Sequence, residues 1–332
     1  MMDYKKLKGV LEERIMNSDQ VFIVPHLGID FDAIASSIAL TLIANKYKKP
    51  NYIILDEELI KIEPGVKLII SNYNNKSKFI TSNKAMQLKG DNDLLIATDV
   101  NKKYLVGIKD HIDEFNDVMI IDHHETDKNT IQTKEDGTFI GLEESSVSEI
   151  LTELLGMFNI KIEPNIANYL LTGIYLDTDK LRKNLKPTTT RIVTKLLERG
   201  ANIETVNKYF EEDFNSDRKI QALINKTKFL TYTIAMAIEN GEVEYTKEEL
   251  AKVADYLQRF NVDVSLAAGH INDSVISVSA RSNGNFDIGK VMGELGGGGD
   301  IYKAATKIEN EPIEELDKQL VRTLVPKYYI GK

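Results

Sequence analysis

The sequence predicts an α/β fold with two domains, and three observations lead to this prediction. Short apolar runs alternate with helical patterns through residues 1–205, which is typical of βαβ units that build a parallel sheet. Residues 206–229 are polar and charged and indicate a helical connector. Residues 230–332 then contain a second set of strands and helices, and a chain of 332 residues is long enough for two cores.

The composition argues against several classes of protein. The chain contains no cysteine, which rules out disulfides, thiolate zinc sites and cysteine nucleophiles and favours a reducing, cytoplasmic location. Its net charge of −9 argues against broad binding to long nucleic acid, although bound metal ions can supply positive charge for a small nucleotide. No apolar run reaches about 18 residues, so we expect no membrane span.

The elements of the first domain follow from its apolar pattern. Helices are expected where apolar residues recur at helical spacing, and strands where short apolar runs stand between polar residues. Helices are predicted at 4–17, 33–47, 145–158 and 188–199. Strands are predicted at 20–25, 51–55, 66–70, 93–98 and 118–121, and the apolar run 166–176 ends at Asp177.

Acidic residues and histidines follow these apolar runs at four places, after residues 25, 98, 121 and 176. Because ligands bind outside the carboxyl ends of strands in parallel sheets, we expect these side chains to meet at one site. One such place alone would suit an ordinary polar turn, but four of them favour a site. The residues are His26, Asp30, Asp32, Asp99, Asp122, His123, His124 and Asp177.

Two imidazoles and four carboxylates of this set suit divalent metal ions. They are too acidic for a single structural zinc site, which usually closes with four ligands rich in sulfur or imidazole. They suit a pair of ions such as Mn²⁺ bridged by one carboxylate. Two metals roughly 3.5–4 Å apart are a recurring solution for hydrolysing phosphoesters, so the sequence predicts a two-metal phosphoesterase. The residues are His26, Asp30, Asp32, Asp99, His123 and Asp177.

The second domain contains two motifs that favour anion binding. The glycine run 296–299 lets the backbone approach a ligand, and consecutive N–H groups can form an anion nest. Arg281, at the end of an alternating strand, suits bidentate contact with a phosphate. A flexible turn for the glycines and a surface salt bridge for Arg281 stay open as alternatives. Strands are predicted at 231–238, 262–268 and 274–280, and helices at 217–229, 247–260, 287–295 and 313–324.

Together these motifs resemble the DHH phosphoesterases that carry a C-terminal DHH-associated domain. The resemblance spans nearly the whole chain. Within the family, the chain is most similar to the catalytic module of the cyclic-di-AMP phosphodiesterases. Those enzymes usually carry membrane and sensory regions upstream, so we expect a standalone relative or a part of a longer protein. The matching stretches are H-x-x-x-D-x-D-A at 26–33, Asp99, D-H-H at 122–124, S-S-x-x-E at 145–149, G-I-Y-L-D-T at 173–178, S-V-S-A-R-S at 277–282 and L-G-G-G-G at 295–299.

The resemblance implies roles for the residues of the first domain. Asp122 would orient a histidine, His124 would face the substrate phosphate or the leaving oxygen, and metal-activated water would attack phosphorus. Asp99 would bridge two Mn²⁺ ions. One ion would be held by His26, Asp30 and Asp99, and the other by Asp32, Asp99, His123 and Asp177.

The resemblance also implies the architecture and the nucleotide contacts. A parallel-sheet DHH domain would be followed by a smaller α/β domain, with the active site in the cleft between them. The second domain would close over the first and hold the nucleotide. Its predicted contacts are Ser279, Arg281, Ser282, Gly297, Gly298, Gly299 and Asp300.

Two positions depart from the family pattern. Asp300 stands where the family has a histidine after the glycines, and an acid near a phosphate repels it unless Lys303 or a metal compensates. Asn101 stands where the cyclic-dinucleotide enzymes commonly have a histidine, two residues after Asp99. Because all the predicted metal ligands are present, we expect metal binding and basal hydrolysis with an altered substrate preference or turnover.

The leading hypothesis is a Mn²⁺-dependent phosphodiesterase that opens cyclic-di-AMP to linear pApA. A hydrolase of linear dinucleotides, of very short RNA (a nanoRNase) or of 3′-phosphoadenosine 5′-phosphate stays open. A catalytically weak nucleotide sensor also stays open because of Asp300. The expected partner is a small nucleotide, with no long nucleic acid and no membrane, and a homodimer is left open.

Overall fold

Two compact units make up the chain, Met1–Glu211 and Glu212–Lys332, and each has its own sheet and core. The structure is a computed structural model that describes residues 3–56, 62–75, 78–211, 214–241, 243–310 and 312–330. The α/β class with a parallel sheet in the first unit is therefore confirmed. None of the described helices is both long and apolar enough to cross a bilayer.

A parallel six-stranded sheet organises the first unit. Its strands are β1 (Val21–Val24), β2 (Asn51–Ile54), β3 (Phe79–Ile80), β4 (Leu94–Thr98), β5 (Asp117–Asp122) and β6 (Thr138–Ile140). They lie in the order β3-β2-β1-β4-β5-β6, and every neighbouring pair is parallel. The strand order reverses between β1 and β4, which is the place where open α/β sheets bind ligands.

Helices cover both faces of this sheet. In β1, Val21 and Ile23 pack into one apolar core, whereas Phe22 and Val24 pack into another on the opposite face. Burial on both faces explains why these strands are continuous apolar runs. The helices are α1 (Tyr4–Asn17), α2 (Phe31–Lys46), α3 (Pro64–Asn72), α4 (Ser82–Leu88), α5 (Val147–Met157), α6 (Pro164–Asp177), α7 (Pro187–Glu198) and α8 (Ile203–Tyr209).

Two apolar runs of the first unit differ from their predicted structure. The strand predicted at 66–70 is wrong, because these residues lie in α3, which begins with Pro64 at its first turn. The run 166–176 is also helical, so Asp177 ends the helix α6 and not a strand. Short buried apolar runs have no polar face, and their periodicity therefore cannot distinguish a strand from a helix.

The second unit has a mixed six-stranded sheet in the order β11-β12-β10-β9-β8-β7, in which only the β8–β9 pair is parallel among the described strands. The helix predicted at 217–229 is shorter, because a strand begins at Thr227. Residues 212 and 213 of the predicted connector lie outside the described residues. The strands are β7 (Thr227–Thr231), β8 (Ile234–Ile238), β9 (Val264–Asn272), β10 (Val275–Ser282), β11 (Gly298–Gly299) and β12 (Lys303–Glu309). The helices are α9 (Phe214–Ile224), α10 (Lys247–Leu257), α11 (Ile288–Glu294) and α12 (Ile313–Ile330).

Candidate metal centre and nucleotide contacts

The loop between β1 and α2 presents His26 and Asp30 side by side. Asp30 caps α2, and its Oδ1 accepts hydrogen bonds of 3.0 Å from the backbone N–H groups of Asp32 and Ala33. This cap leaves Oδ2 of Asp30 3.5 Å from Nε2 of His26. The other ring nitrogen of His26, Nδ1, lies 2.9 Å from the Leu27 carbonyl oxygen. A proton on Nδ1 therefore leaves the lone pair of Nε2 available for a metal.

Asp32 lies where three helices meet. It is fully buried in the first turn of α2, and its two oxygens accept hydrogen bonds of 2.7 Å from the N–H groups of Val147 and Ser148 in α5. Gly173 of α6 makes room for this contact. A Cβ atom at Gly173 would lie 2.8 Å from Oδ1 of Asp32 and would overlap the Ser148 hydroxyl. Gly173 therefore allows the close approach that seats Asp32.

Asp99 follows β4 and faces two sides of the site. Its Oδ2 lies 3.7 Å from Nε2 of His26, and its Oδ1 lies 3.5 Å from Nε2 of His123. The side chain is nearly buried, and the backbone has a left-handed φ of 57°. Such a conformation is uncommon for a residue with a Cβ, although Asp adopts it more readily than most.

Asp122 orients the loop that follows β5. Its Oδ1 accepts hydrogen bonds from the backbone N–H groups of His123 (2.7 Å) and His124 (3.3 Å) and lies 2.8 Å from Nδ1 of the His124 ring. Its Oδ2 accepts a hydrogen bond of 2.6 Å from Nδ2 of Asn101. The side chain of His124 is 61% exposed, whereas that of His123 is 13% exposed. Asp122 therefore holds an accessible imidazole in one orientation.

The structure brings all the predicted metal ligands together. Asp177, at the end of α6, has its Oδ2 3.7 Å from Nε2 of His123. The possible ligand atoms form three groups, and the atoms within each group lie within 4.8 Å of one another. The groups are His26, Asp30 and Asp99; Asp32, His123 and Asp177; and Asp99, His123 and His124.

The chemistry of these groups fits divalent metal ions. Oδ1 of Asp99 and Nε2 of His123 are buried, and neither atom has a hydrogen-bond partner among the described residues. Buried polar atoms without a partner are rare in folded proteins, and a cation between these two atoms would satisfy both. Carboxylates and imidazoles without thiolates favour ions such as Mn²⁺ over a structural zinc ion.

Burial and crowding perturb the ionisation of the metal-free site. Burial and the charges of neighbouring acids raise the pKa of Asp99 well above its usual range, and burial with the charge of Asp30 raises that of Asp32 to about 6. Burial also lowers the pKa of His123 to about 4, which keeps its lone pair free. Burial opposes a charge on His26, but its contact with Asp30 outweighs burial and raises the pKa to about 9. These acids are therefore costly to ionise without a cation.

Arg281, the predicted phosphate contact of the second unit, forms an ion pair in the structure. Its Nε donates to Oδ1 of Asp255 at 2.7 Å, and its Nη2 donates to Oδ2 at 3.1 Å. Its Nη1 donates to the Ala280 carbonyl oxygen at 3.0 Å. These contacts use three of the five N–H groups of the guanidinium. Two N–H groups are left for a ligand, and contact with phosphate stays a prediction.

The glycine run and Asp300 form a strand and a turn. Gly298 and Gly299 pair with β12, and the Gly297 N–H donates to the Met292 carbonyl oxygen at 2.8 Å. Oδ1 of Asp300 accepts hydrogen bonds from the N–H groups of Tyr302 (2.6 Å) and Lys303 (2.8 Å). The acid that replaces the family histidine thus closes a turn, and two amide dipoles offset its charge.

The two predicted serine contacts are mostly covered. Ser279 is 5% exposed and Ser282 is 7% exposed. The Ser282 N–H donates to the Tyr302 carbonyl oxygen at 2.8 Å, and its hydroxyl accepts a hydrogen bond from the Gly284 N–H at 3.1 Å. In the described residues the Ser282 hydroxyl therefore fixes the backbone, and contact of either serine with a nucleotide stays a prediction.

Comparison with known families identifies both units. Residues 20–174 match the model of the DHH family N-terminal domain, and residues 226–325 match that of the DHHA1 domain. The chain contains a DHH domain followed by a DHHA1 domain. DHH family members are metal-dependent hydrolases. The DHH match contains every predicted metal ligand except Asp177, and the DHHA1 match contains Arg281 and the glycine run.

Several relatives of this DHH protein are similar along its whole length. It is 28% identical to the cyclic-di-AMP phosphodiesterase PdeA of Listeria monocytogenes, over 98% of this chain and 50% of the relative. It is also 28% identical to the cyclic-di-AMP phosphodiesterase GdpP of Bacillus subtilis, with the same coverage. The chain thus spans about half the length of these curated relatives. An exopolyphosphatase-related protein from Bacteroides fragilis has the same fold, with a TM-score of 0.80, 18% identity and 98% coverage of both chains.

Sequence reasoning did not assign functions to three residues that support the two sites of this DHH protein. Asn101 was noted only as a departure from the family, yet it holds Asp122. Asp255 lies on α10, 26 residues before its partner Arg281, and no local signal links the two. Gly173 was noted only as part of a stretch that matches the family, and no local signal links it to Asp32.

Proposed function

We propose that this DHH protein is a Mn²⁺-dependent phosphodiesterase that hydrolyses cyclic-di-AMP to linear pApA. The observation that supports this proposal most strongly is the position of Asp99, whose two oxygens face two different ligand groups. A carboxylate in this position suits the bridge of a two-metal site for phosphoester hydrolysis. The similarity to two cyclic-di-AMP phosphodiesterases over 98% of the chain supports the choice of substrate.

The residues of the first unit would divide between two ions. Such ions lower the pKa of water and offset the charge of the phosphate. Asp32 would give up part of its hydrogen bonding to α5 or share its oxygens between the amides and an ion. One ion would be held by His26, Asp30 and Asp99, and the other by Asp32, Asp99, His123 and Asp177.

His124 suits the role of proton donor to the leaving oxygen. Asp122 occupies Nδ1 of the ring, so Nε2 is the nitrogen left for the substrate. The hydrogen bond with Asp122 raises the pKa of His124, which favours a proton on the ring. Since the side chain is 61% exposed, a substrate can approach it directly.

Arg281 supplies the proposed phosphate contact in the second unit. Asp255 fixes the guanidinium plane through two hydrogen bonds. The two N–H groups that remain suit one phosphate group. The phosphate would thus meet an arginine that is already oriented, at little cost in side-chain entropy.

Hydrolysis of a linear dinucleotide, very short RNA or 3′-phosphoadenosine 5′-phosphate is the second candidate function. The observation that favours it is Asn101, which stands where the cyclic-dinucleotide enzymes commonly have a histidine and instead holds Asp122. A change at that position alters the contacts of the loop that carries His123 and His124. The first unit would perform the same reaction on either class of substrate.

A panel of substrates with Mn²⁺ distinguishes these functions. It compares cyclic-di-AMP, pApA, short RNA and 3′-phosphoadenosine 5′-phosphate by product analysis, with Asp99→Asn as the inactive control. We expect cyclic-di-AMP to have the highest kcat/KM and pApA to be its product. Turnover of the linear substrates alone would favour the second candidate. Tight binding of cyclic-di-AMP without product would contradict both and indicate a sensor.

A further inference from the structure

Lys303 lies directly opposite Arg281 in the sheet of the second unit. The two residues form one register pair between the antiparallel strands β10 and β12. Residues that pair in this way point their side chains to the same face of the sheet, with Cβ atoms about 4.5–5.5 Å apart. The side chain of Lys303 therefore leaves the sheet next to that of Arg281.

The contacts of neighbouring residues show which face of the sheet this is. Ser265 of β9 also pairs with Arg281, and its hydroxyl donates to a carbonyl oxygen of α10 at 2.8 Å. Arg281 itself contacts Asp255 of the same helix. Ala304, which follows Lys303 in β12, is buried in the core on the opposite face. Lys303 and Arg281 thus share the face on which α10 packs.

The ammonium group of Lys303 is open to a ligand. The residue is exposed, and its backbone is fixed because its N–H donates to Oδ1 of Asp300 at 2.8 Å. Its Nζ makes no hydrogen bond or ion pair with any residue that the structure describes. Lysine has a flexible stem of four carbons, so its charge can move to meet an anion beside it.

The charges around Arg281 indicate what Lys303 adds. Arg281 and Asp255 carry opposite charges, so this ion pair offers a phosphate two directed N–H groups without a net charge. The carboxylate of Asp300 accepts two amide hydrogen bonds, whose dipoles offset its charge. Lys303 therefore places a positive charge beside the N–H groups that Arg281 has left.

We propose that Lys303 and Arg281 together bind one phosphate group of the nucleotide. The guanidinium would hold the phosphate in a set direction, and the lysine would bring its ammonium to a further oxygen. With Asp255, these side chains carry one net positive charge, which matches the single negative charge of a phosphodiester. The inference rests on the proposed function and adds a second phosphate contact to it.

Steady-state kinetics of Lys303→Gln test this contact. With cyclic-di-AMP and Mn²⁺, KM should rise by about 2- to 5-fold, the size expected for one exposed ion pair, with kcat within about twofold. Lys303→Arg keeps the charge and should restore most of the wild-type KM. The matched control is Lys307→Gln, which removes an exposed lysine of the same strand that pairs with Ser277 and should leave KM unchanged. Thermal melting of each variant separates these effects from loss of folding.

A double-mutant cycle tests whether the two residues contact the same phosphate. If they do, Lys303→Gln should raise KM less in an Arg281→Gln background than in the wild type, because contacts with one shared group are not additive. Higher ionic strength should also weaken the wild type more than Lys303→Gln, because salt screens the charge that the variant lacks. Additive effects of the two substitutions would overturn the shared contact.

The outcomes separate this inference from the proposed function. If the wild type hydrolyses cyclic-di-AMP and Lys303→Gln has the same KM as Lys307→Gln, the lysine contact is wrong and the proposed function stands. If the wild type binds cyclic-di-AMP without forming product, Kd from titration calorimetry takes the place of KM. A weaker Kd in Lys303→Gln alone would then support the lysine contact and contradict the proposed function. Equal Kd values for the two lysine variants, or no binding of any nucleotide by the wild type, would overturn both.

Discussion

The metal centre of the first unit and the glycine motif of the second unit differ in whether their charged side chains have partners within the unit. In the metal centre, four carboxylates lie among imidazoles, and Oδ1 of Asp99 has no hydrogen-bond partner among the described residues. In the glycine motif, Arg281 is held by Asp255, and Asp300 accepts two amide hydrogen bonds. The carboxylates of the metal centre therefore lack partners of opposite charge, whereas Arg281 and Asp300 of the glycine motif have partners within the second unit.

This difference indicates how each region binds its ligand. Burying an ionised carboxylate without a partner costs free energy, and a bound cation offsets this cost. The glycine motif has no such cost to relieve. A phosphate bound there would meet the two N–H groups of Arg281 that these contacts leave. Metal affinity should therefore depend on charge, and nucleotide affinity on preorganisation.

The largest expected effect is the loss of activity in Asp99→Asn. Partners one step removed from a metal already change activity by about 10- to 100-fold, so removal of a bridging ligand should lower kcat/KM by more than about 100-fold. Initial rates with Mn²⁺ and metal content by elemental analysis measure the effect. A variant that keeps both its metal and at least a tenth of its activity would contradict the bridging role of Asp99.

Asn101→Ala should lower kcat by about 10- to 100-fold with less effect on KM. Asn101 Nδ2 donates to Asp122 and to the His124 carbonyl oxygen, so its loss frees the residue that orients the His124 ring. The control is Asn116→Ala, which removes an exposed amide that donates to the Asp91 carbonyl oxygen. Equal kinetics for the two variants would mean that Asn101 does not position the catalytic loop.

Asp255→Asn should raise KM by about 2- to 5-fold and leave kcat nearly unchanged. The carboxylate of Asp255 is half exposed, and ion pairs of this kind contribute about 0.2–1 kcal/mol. Asp317→Asn, which removes the ion pair with Lys228 in the same unit, is the matched control. A lower KM in Asp255→Asn would show that Asp255 competes with the substrate for Arg281 instead of positioning it.

The smallest effect concerns stability without metal. Because the pKa of Asp99 is raised in the folded state, folding binds a proton there, and the wild-type protein should lose stability as pH rises from about 4 towards that raised pKa. Asp99→Asn lacks this titration, so in a chelator it should melt a few degrees above the wild type at pH 8. The difference in melting temperature between the variant and the wild type should shrink towards pH 4.

Asp300→Asn provides the contrast for that measurement. The Asp300 carboxylate is exposed and accepts two amide hydrogen bonds, so its replacement should not raise the melting temperature. Melting curves of both variants in a chelator, at pH 5 and pH 8, make the comparison. If Asp99→Asn and Asp300→Asn gain the same stability, the metal centre and the glycine motif do not differ in the cost of their carboxylates.

Residue type and chain position were sufficient to predict which carboxylates and imidazoles of the first unit lie together. Carboxylates and imidazoles after Pro25, Thr98 and Ile121 were expected at one edge of a parallel sheet, and the structure brings them together there. Asp177 joins them from the end of a helix instead of a strand. Asp177 was still assigned to the site, although a strand was expected before it, because the family motif around Asp177 does not depend on the type of secondary structure.

The glycine motif was less predictable, because its contacts are made between residues far apart in sequence. The partner of Arg281 comes from α10, and the Ser282 N–H is held by the Tyr302 carbonyl oxygen from the turn before β12. In this motif the sequence showed only that Asp300 departs from the family pattern, and we interpreted Asp300 as a charge that repels phosphate. Asp300 closes its turn by accepting the amide protons two and three residues on, and this is a contact that aspartate favours but that the reading of Asp300 as a phosphate neighbour left out.

Asp32 links two parts of the first unit through a single carboxylate. Its oxygens accept the amide protons of Val147 and Ser148, and the same side chain belongs to a candidate ligand group. A metal ion that draws charge from these oxygens must weaken both hydrogen bonds. With a diamagnetic ion such as Mg²⁺, the nitrogen and proton resonances of those two amides in ¹⁵N-labelled protein would therefore report metal occupancy from the beginning of α5.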